Sequence, residues 1–371
     1  MSLARALERA RELGAHPRQE RSLVRAWLTR DDLARIAAAP RAPFAKALVA
    51  ALPELEAELA KIARVASEHA GSADTTGGQT GGAPGGKLEG ESTSAPGRDA
   101  GGATRLLVEL ADGATIETVL LPKNALCISS QVGCAVGCRF CKTGEGGLVR
   151  NLEVDELLAQ VVLARARKPI DRIVFMGMGE PAHNLANVLG ALEWLGTEGR
   201  FAHKRMVFST VGERKVFERL LAAPVRPALA LSLHAADDAR RAELLPRAPR
   251  IPVRELVELA DAYARAITWP VLYQWTLLEG VNDSDADLAA AVELLRGRHG
   301  LLNVVGWNAL DGFPFRRAPL ERAVHWVRTL KRAGVFATLR DSAGQDVEGG
   351  CGQLRSRAVA DRSRPLVDRS R

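Results

Sequence analysis

From Thr104 onward, short β-type apolar runs alternate with helical patterns, and this alternation limits the fold more than any other feature of the chain. Strands are predicted at 105–110, 115–121, 126–129, 172–176, 205–209, 227–232, 271–277, 302–307 and 335–340. Helices are predicted at 153–167, 185–197, 213–222, 253–266, 285–297 and 318–332. Helix 153–167 carries Val154, Leu157, Leu158, Val161 and Val162 on one face. Repeated β–α order with apolar strands requires parallel pairing under a helical coat. The count is nearer six units than eight. The expected fold is therefore α/β, a partial (β/α)6 barrel with its chemistry on loops at the C-terminal strand ends.

The first 70 residues read differently. Ala, Leu, Arg and Glu dominate, with Leu48, Leu52, Leu55 and Leu59 at helical spacing. A small helical domain over 1–70 is predicted, cut into short helices by Pro40, Pro43 and Pro53. Residues 71–103 hold eleven of the 34 glycines and almost nothing apolar. Such a segment cannot bury enough surface to offset its ordering entropy, so a flexible linker without fixed structure is expected. The barrel is assigned to 104–350. Residues 351–371 form a C-terminal segment with Cys351 and a basic tail, six Arg against Asp361 and Asp368.

Three cysteines stand in one run: Cys134, Cys138 and Cys141, a CxxxCxxC spacing. Three thiolates this close can hold three irons of a 4Fe–4S cluster and leave the fourth open to a substrate. Electron-transfer ferredoxins use four cysteines per cluster. The competing readings are a zinc site, with a fourth ligand from Cys127 or a distant His, or three buried thiols. Five cysteines, an odd number, argue against a disulfide framework and for reducing cytoplasm. No apolar run approaches a membrane span, and no secretory signal is visible. A net charge of +7 suits a polyanionic partner.

The polar groups fall at successive strand ends. The cysteine loop follows 126–129, Gly177-Met178-Gly179-Glu180-Pro181 follows 172–176, Ser209 ends the next strand, and Ser232-Leu233-His234 the one after. Trp307-Asn308 ends a later strand.

The ordered motifs CISSQVGCAVGCRFCKTG, FMGMGEP, FSTVG, LSLHA, GVND, WN and EGGCGQL resemble, over about 104–355, the radical S-adenosylmethionine (SAM) RNA methyltransferases. That family methylates carbon 2 of an adenine in 23S rRNA and, in many cases, in tRNA; close relatives methylate carbon 8. The resemblance implies one 4Fe–4S cluster on Cys134, Cys138 and Cys141, with SAM bound beside it. Carbon 2 of adenine is electron-poor and cannot attack a sulfonium methyl. In the family a cysteine first receives the methyl, a 5′-deoxyadenosyl radical from a second SAM activates it, and the methyl carbon adds to the base. Cys351 matches the methyl-carrying cysteine. Cys127 matches the thiol that attacks the Cys351 sulfur and releases the product through a transient disulfide. Glu117 matches the family's proton acceptor. Gly179, Glu180, Ser209, Ser232, Leu233, His234 and Asn308 match the SAM contacts.

RNA (rRNA, possibly tRNA) and an electron donor such as flavodoxin are the implied partners, with a monomer as the default state. Lys204, Arg205, Arg214 and Lys215, and Arg316 and Arg317 beside Phe313 and Phe315, are candidates for phosphate gripping and base stacking. The competing function is a radical activase of a partner protein, which has no use for Cys351.

Overall fold

The computed structural model describes residues 2–33, 37, 44–71, 102–341 and 344–355. Two helices open the chain, α1 (Leu3–Glu12) and α2 (Pro17–Thr29), and a third, α3 (Lys46–Ala60), follows. Pro53 lies inside α3 and does not break it. The ring removes the bond that the Val49 carbonyl would accept, but Val49 is exposed, so water can take its place. The other two prolines predicted to break helices, Pro40 and Pro43, lie outside the described residues.

Helix does not continue to residue 70. Ala63–Ala70 is a strand, β1, paired antiparallel with β2 (Thr104–Leu110). The sequence ARVASEHA has no helical apolar stripe, and its half-exposed alternation suits an edge strand. The Gly71 N–H donates to the Ala103 carbonyl at 2.9 Å, so both ends of the Gly-rich segment lie side by side. Most of the predicted flexible linker, 72–101, lies outside the described residues.

β3 (Thr115–Leu121) and β4 (Ala125–Cys127) extend the antiparallel run. From β4 the sheet turns parallel through β7 (Arg172–Phe175), β8 (Met206–Thr210), β9 (Ala228–Ser232), β10 (Val271–Leu277), β11 (Gly300–Gly306) and β12 (Ala337–Arg340). The crossovers are α4 (Val154–Arg165), α5 (Leu185–Thr197), α6 (Arg214–Ala222), α7 (Asp238–Leu244) with α8 (Val253–Ile267), α9 (Asp285–Leu295) and α10 (Leu320–Arg332). Six strand–helix units and a closing parallel strand make the partial barrel. A separate hairpin, β5 (Gln131–Gly133) with β6 (Leu148–Asn151), frames the cysteine loop. The short hairpin and α7 carry too few residues to show periodicity in sequence.

The main core lies between sheet and helices. Trp326 of α10 stacks on Trp275 of β10, ring centroids 5.1 Å apart, both fully buried. The opposite sheet face carries smaller residues, Val207, Ala228 and Ala230, against Val174, Met176 and Leu272. The N-terminal helices share the main core and are tied down by polar contacts. Arg25 pairs with Glu198 at 2.6 Å, and Arg165 donates to the Leu28 carbonyl at 2.8 Å. Among the described residues, no helix is long and apolar enough to cross a membrane.

Candidate active site

The cysteine loop leaves β5 at Gly133, whose φ is +78°. A Cβ there would sit 2.0 Å from the Gly147 carbonyl oxygen, so only glycine allows the loop to close on itself. The Cys134 N–H donates to that same oxygen at 2.9 Å, and the Cys141 N–H to the Cys138 carbonyl at 3.0 Å. The Trp307 indole donates to the Phe140 carbonyl at 3.0 Å and fixes the far side of the loop.

All three thiols line one cavity, with Gly179, Glu180, Ser209, Ser232 and His234 around them. Strand ends from β7 to β11 thus surround one mouth, which requires the sheet to curl. Burial pushes the Cys134 thiol up to about 12. Burial, and then the neighbouring cysteines, hold Cys138 well above its ordinary value. Only a cation would favour three thiolates here. Among the described residues, no three His, Cys, Asp or Glu side chains are grouped to hold a single ion. Three thiols on one cavity match a cluster with one ligand per iron, whereas a structural zinc takes four ligands.

The opposite wall is built for close approach. Gly179 has φ +100°, and a Cβ there would meet Gln131 at 2.6 Å. The Glu180 N–H donates to Gln131 Oε1 at 2.8 Å. The Glu180 carboxylate accepts from the Ala182 N–H at 3.0 Å and the Val211 N–H at 2.9 Å. Burial outweighs these bonds and raises its pKa. His234 Nδ1 accepts from the Thr276 N–H at 3.0 Å, which leaves the ring proton on Nε2. Burial and then Arg241 hold this histidine down at about 3, so it is neutral at working pH.

The distant cysteine comes to the same place. Cys351 is exposed and lines the cavity with the three clustered thiols. Its segment is docked by two bonds to the carbonyls that follow it. The Lys142 N–H donates to the Gly352 carbonyl at 2.7 Å, and Thr143 Oγ1 to the Leu354 carbonyl at 2.6 Å. Asn308 Nδ2 donates to the Cys351 carbonyl at 3.0 Å.

Four predicted residues stand back from the cavity wall. Leu233 has its side chain in the main core, and Asn308 meets the segment of Cys351 instead. Cys127 is buried at the end of β4. Burial first, and then Cys351, push its thiol up. Both are free thiols. Glu117 is 1% exposed; Arg105 Nη1 donates to its Oε1 at 2.8 Å and the Arg355 N–H to its Oε2 at 2.7 Å.

Sequence reasoning missed Arg105, Thr143, Gln274, Thr276 and Arg241. Only Arg105 left a signal, as a charged residue between apolar positions of a strand.

The basic residues proposed to grip RNA are mostly paired within the chain. Arg214 meets Glu255 at 2.5 Å, Lys215 meets Glu213 at 2.7 Å, Arg316 meets Glu279 at 3.0 Å, and Arg317 pairs with Asp341. Phe315 packs edge-on to Trp307, and the Lys142 ammonium lies over Phe313, 5.3 Å from the ring centroid. Most of the basic tail lies outside the described residues.

Residues 128–292 match the radical SAM superfamily. A probable RNA methyltransferase of Azoarcus sp. (strain BH72) is 50% identical over 363 residues, covering 98% of this chain and 96% of that protein. Another, of Bordetella avium (strain 197N), is 54% identical over 313 residues, covering 84% of this chain and 81% of that protein. The crystal structure of a radical SAM methyltransferase from Sphaerobacter thermophilus superposes with a TM-score of 0.76 at 33% identity, over 96% of this chain and 98% of that one.

Proposed function

This chain belongs to the radical SAM superfamily, and we propose that it is an RNA methyltransferase that carries the methyl on Cys351 before placing it on an adenine, carbon 2 in 23S rRNA being favoured. One observation carries this reading: Cys351 lines the cavity that also holds Cys134, Cys138 and Cys141. A radical activase needs the cluster loop and no such sulfur. The names of the relatives support an RNA substrate.

Cys134, Cys138 and Cys141 would hold the cluster, and Gly179, Glu180, Ser209, Ser232 and His234 would border SAM. When bound, these cofactors supply the methyl group and the one-electron chemistry that activates it. The protein's own residues supply the rest. Gly179 permits backbone approach, and the Nε2–H of His234 is a fixed neutral donor. Cys351 presents its sulfur from a loop with glycine on both sides. Cys127 is the thiol that attacks that sulfur and releases the product. Glu117 is the proton acceptor. Its Oε2 accepts from the Arg355 N–H, four residues after Cys351, so the proton acceptor is tied to the Cys351 segment.

The test is mass spectrometry in two places. Protein purified anaerobically and given SAM should carry a methyl on Cys351. RNA from cells with and without the gene should differ in one methylated adenine. Absence of both marks in iron-loaded protein would overturn the proposal.

A further inference from the structure

Helix α7 and the residues after it are fastened to the cysteine loop. The Arg139 N–H donates to the Leu244 carbonyl at 3.0 Å, and the Arg247 N–H to the Val136 carbonyl at 3.3 Å. Arg247 Nη1 also donates to the Ala135 carbonyl at 3.2 Å. Leu244, Leu245 and Ala248 pack in one apolar cluster with Cys134, Val136, Phe140 and Val211.

From the same helix, Arg241 binds the barrel strands. Its Nη2 donates to the Val211 carbonyl at 2.5 Å and to the Ser232 carbonyl at 3.0 Å. Val211 follows β8 and Ser232 ends β9. One guanidinium therefore joins the helix that holds the thiol loop to the two strand ends that carry Ser209 and Ser232. The residue is 4% exposed, and its Nε is buried with no partner among the described residues.

Both of these acceptors are neutral carbonyls. A cation taken out of water without a contacting carboxylate costs several kcal/mol unless negative charge lies near. Burial lowers the Arg241 pKa to about 10, and the charges opposing that fall are Cys138, Glu180 and Asp238, in that order. The first two belong to the active site. Thiolates bound to iron would supply the compensation that the protonated thiols do not.

We propose that Arg241 is a positioning residue of the active site: it holds the three-thiol loop in register with the ends of β8 and β9, and it sets a positive charge behind Val211, which lines the thiol cavity and whose N–H binds the Glu180 carboxylate. This rests on the radical SAM reading above. One-electron reduction adds negative charge at the thiol loop, and a fixed cation nearby favours the reduced state.

Two variants separate the parts. Arg241→Lys keeps the charge but cannot span two carbonyls in the same fork. In iron-loaded protein it should weaken SAM binding at least fivefold by equilibrium dialysis, with the reduction potential near that of the parent. Arg241→Met removes the charge and should make the potential more negative in an electron paramagnetic resonance titration. Its unloaded form should also exchange backbone hydrogens faster over 134–141. If the methionine variant does not take up iron, Arg241→Gln provides the neutral comparison. Parent-like SAM affinity in Arg241→Lys, or a parent-like potential in the neutral variant, would overturn the inference. A parent protein that takes up no iron–sulfur cluster would instead refute the family-based reading of the site.

Discussion

The side-chain amide of Asn308 donates to the carbonyl oxygen of Cys351 at 3.0 Å, while its own Oδ1 is buried with no partner among the described residues. Residues at the end of β11 thus help to hold the sulfur-bearing segment.

Removing this contact should loosen the segment without unfolding the chain. One hydrogen bond is worth about 0.5–1.5 kcal/mol. That corresponds to a roughly two- to tenfold rise in the undocked population. Asn308→Ala should therefore speed backbone hydrogen exchange over 350–355 in unloaded protein by about that factor. An exchange rate equal to the parent's would mean that Lys142 and Thr143 hold the segment unaided.

The proposed function gives Glu117 two separable duties, and the two proposed methyl transfers separate them. Methylation of Cys351 needs no proton acceptor at adenine; methylation of RNA does. Glu117→Gln keeps the side chain's shape and can still accept from the Arg355 N–H. It should leave Cys351 methylated to at least half the parent level while RNA product falls about 100-fold, as loss of a general base allows. If Cys351 methylation falls in step, Glu117 acts only as an anchor. Arg105→Met takes from the buried Glu117 carboxylate its Arg105 counter-charge, and should cost roughly 3–5 kcal/mol in a denaturant melt.

The alternation that points to a partial barrel survives folding because each strand's β-branched run and each helix's apolar stripe act locally. Val154, Leu157, Leu158 and Val161 sit in a helix as their spacing predicts. The losses came where the signal is not local. Ala63–Ala70 is a strand only because Thr104–Leu110 lies beside it, more than thirty residues later. In the site, the CxxxCxxC run is legible because its three thiols are close in sequence, but Arg241 is not. Nothing in the sequence DDARRAEL shows which arginine is buried; the fold buries Arg241 and leaves Arg240 half-buried.

Cys127 should be needed for release and not for capture. In Cys127→Ala, Cys351 can still be methylated and can still reach RNA, so a covalent RNA–protein adduct should accumulate on a denaturing gel. The adduct should vanish in Cys127→Ala/Cys351→Ala. Normal turnover by the single variant would remove Cys127 from the reaction. Burial and Cys351 both raise the Cys127 thiol above its ordinary value. The attacking thiolate is therefore scarce at neutral pH, and the parent's adduct should decay faster as pH rises, still climbing beyond pH 9.

The His234 pKa is shifted the opposite way. Its ring is 6% exposed, accepts from the Thr276 N–H, and has its pKa lowered to about 3 by burial and Arg241. An unfolded histidine titrates near about 6.5. The folded value lies below the unfolded one, so the neutral ring's contribution to stability is complete above about pH 6.5 and is lost as pH falls toward 3. The parent should lose at most about 1.4 kcal/mol per pH unit from this group on acidification. His234→Gln should remove that slope between pH 6 and 4 in denaturant melts of unloaded protein. From pH 8 to 5 the His234 ring should keep one nitrogen-15 signature, that of the Nε2–H tautomer. An imidazolium signal near pH 6 would show the ring to be solvated, and would take from it the fixed neutral donor assigned to it above.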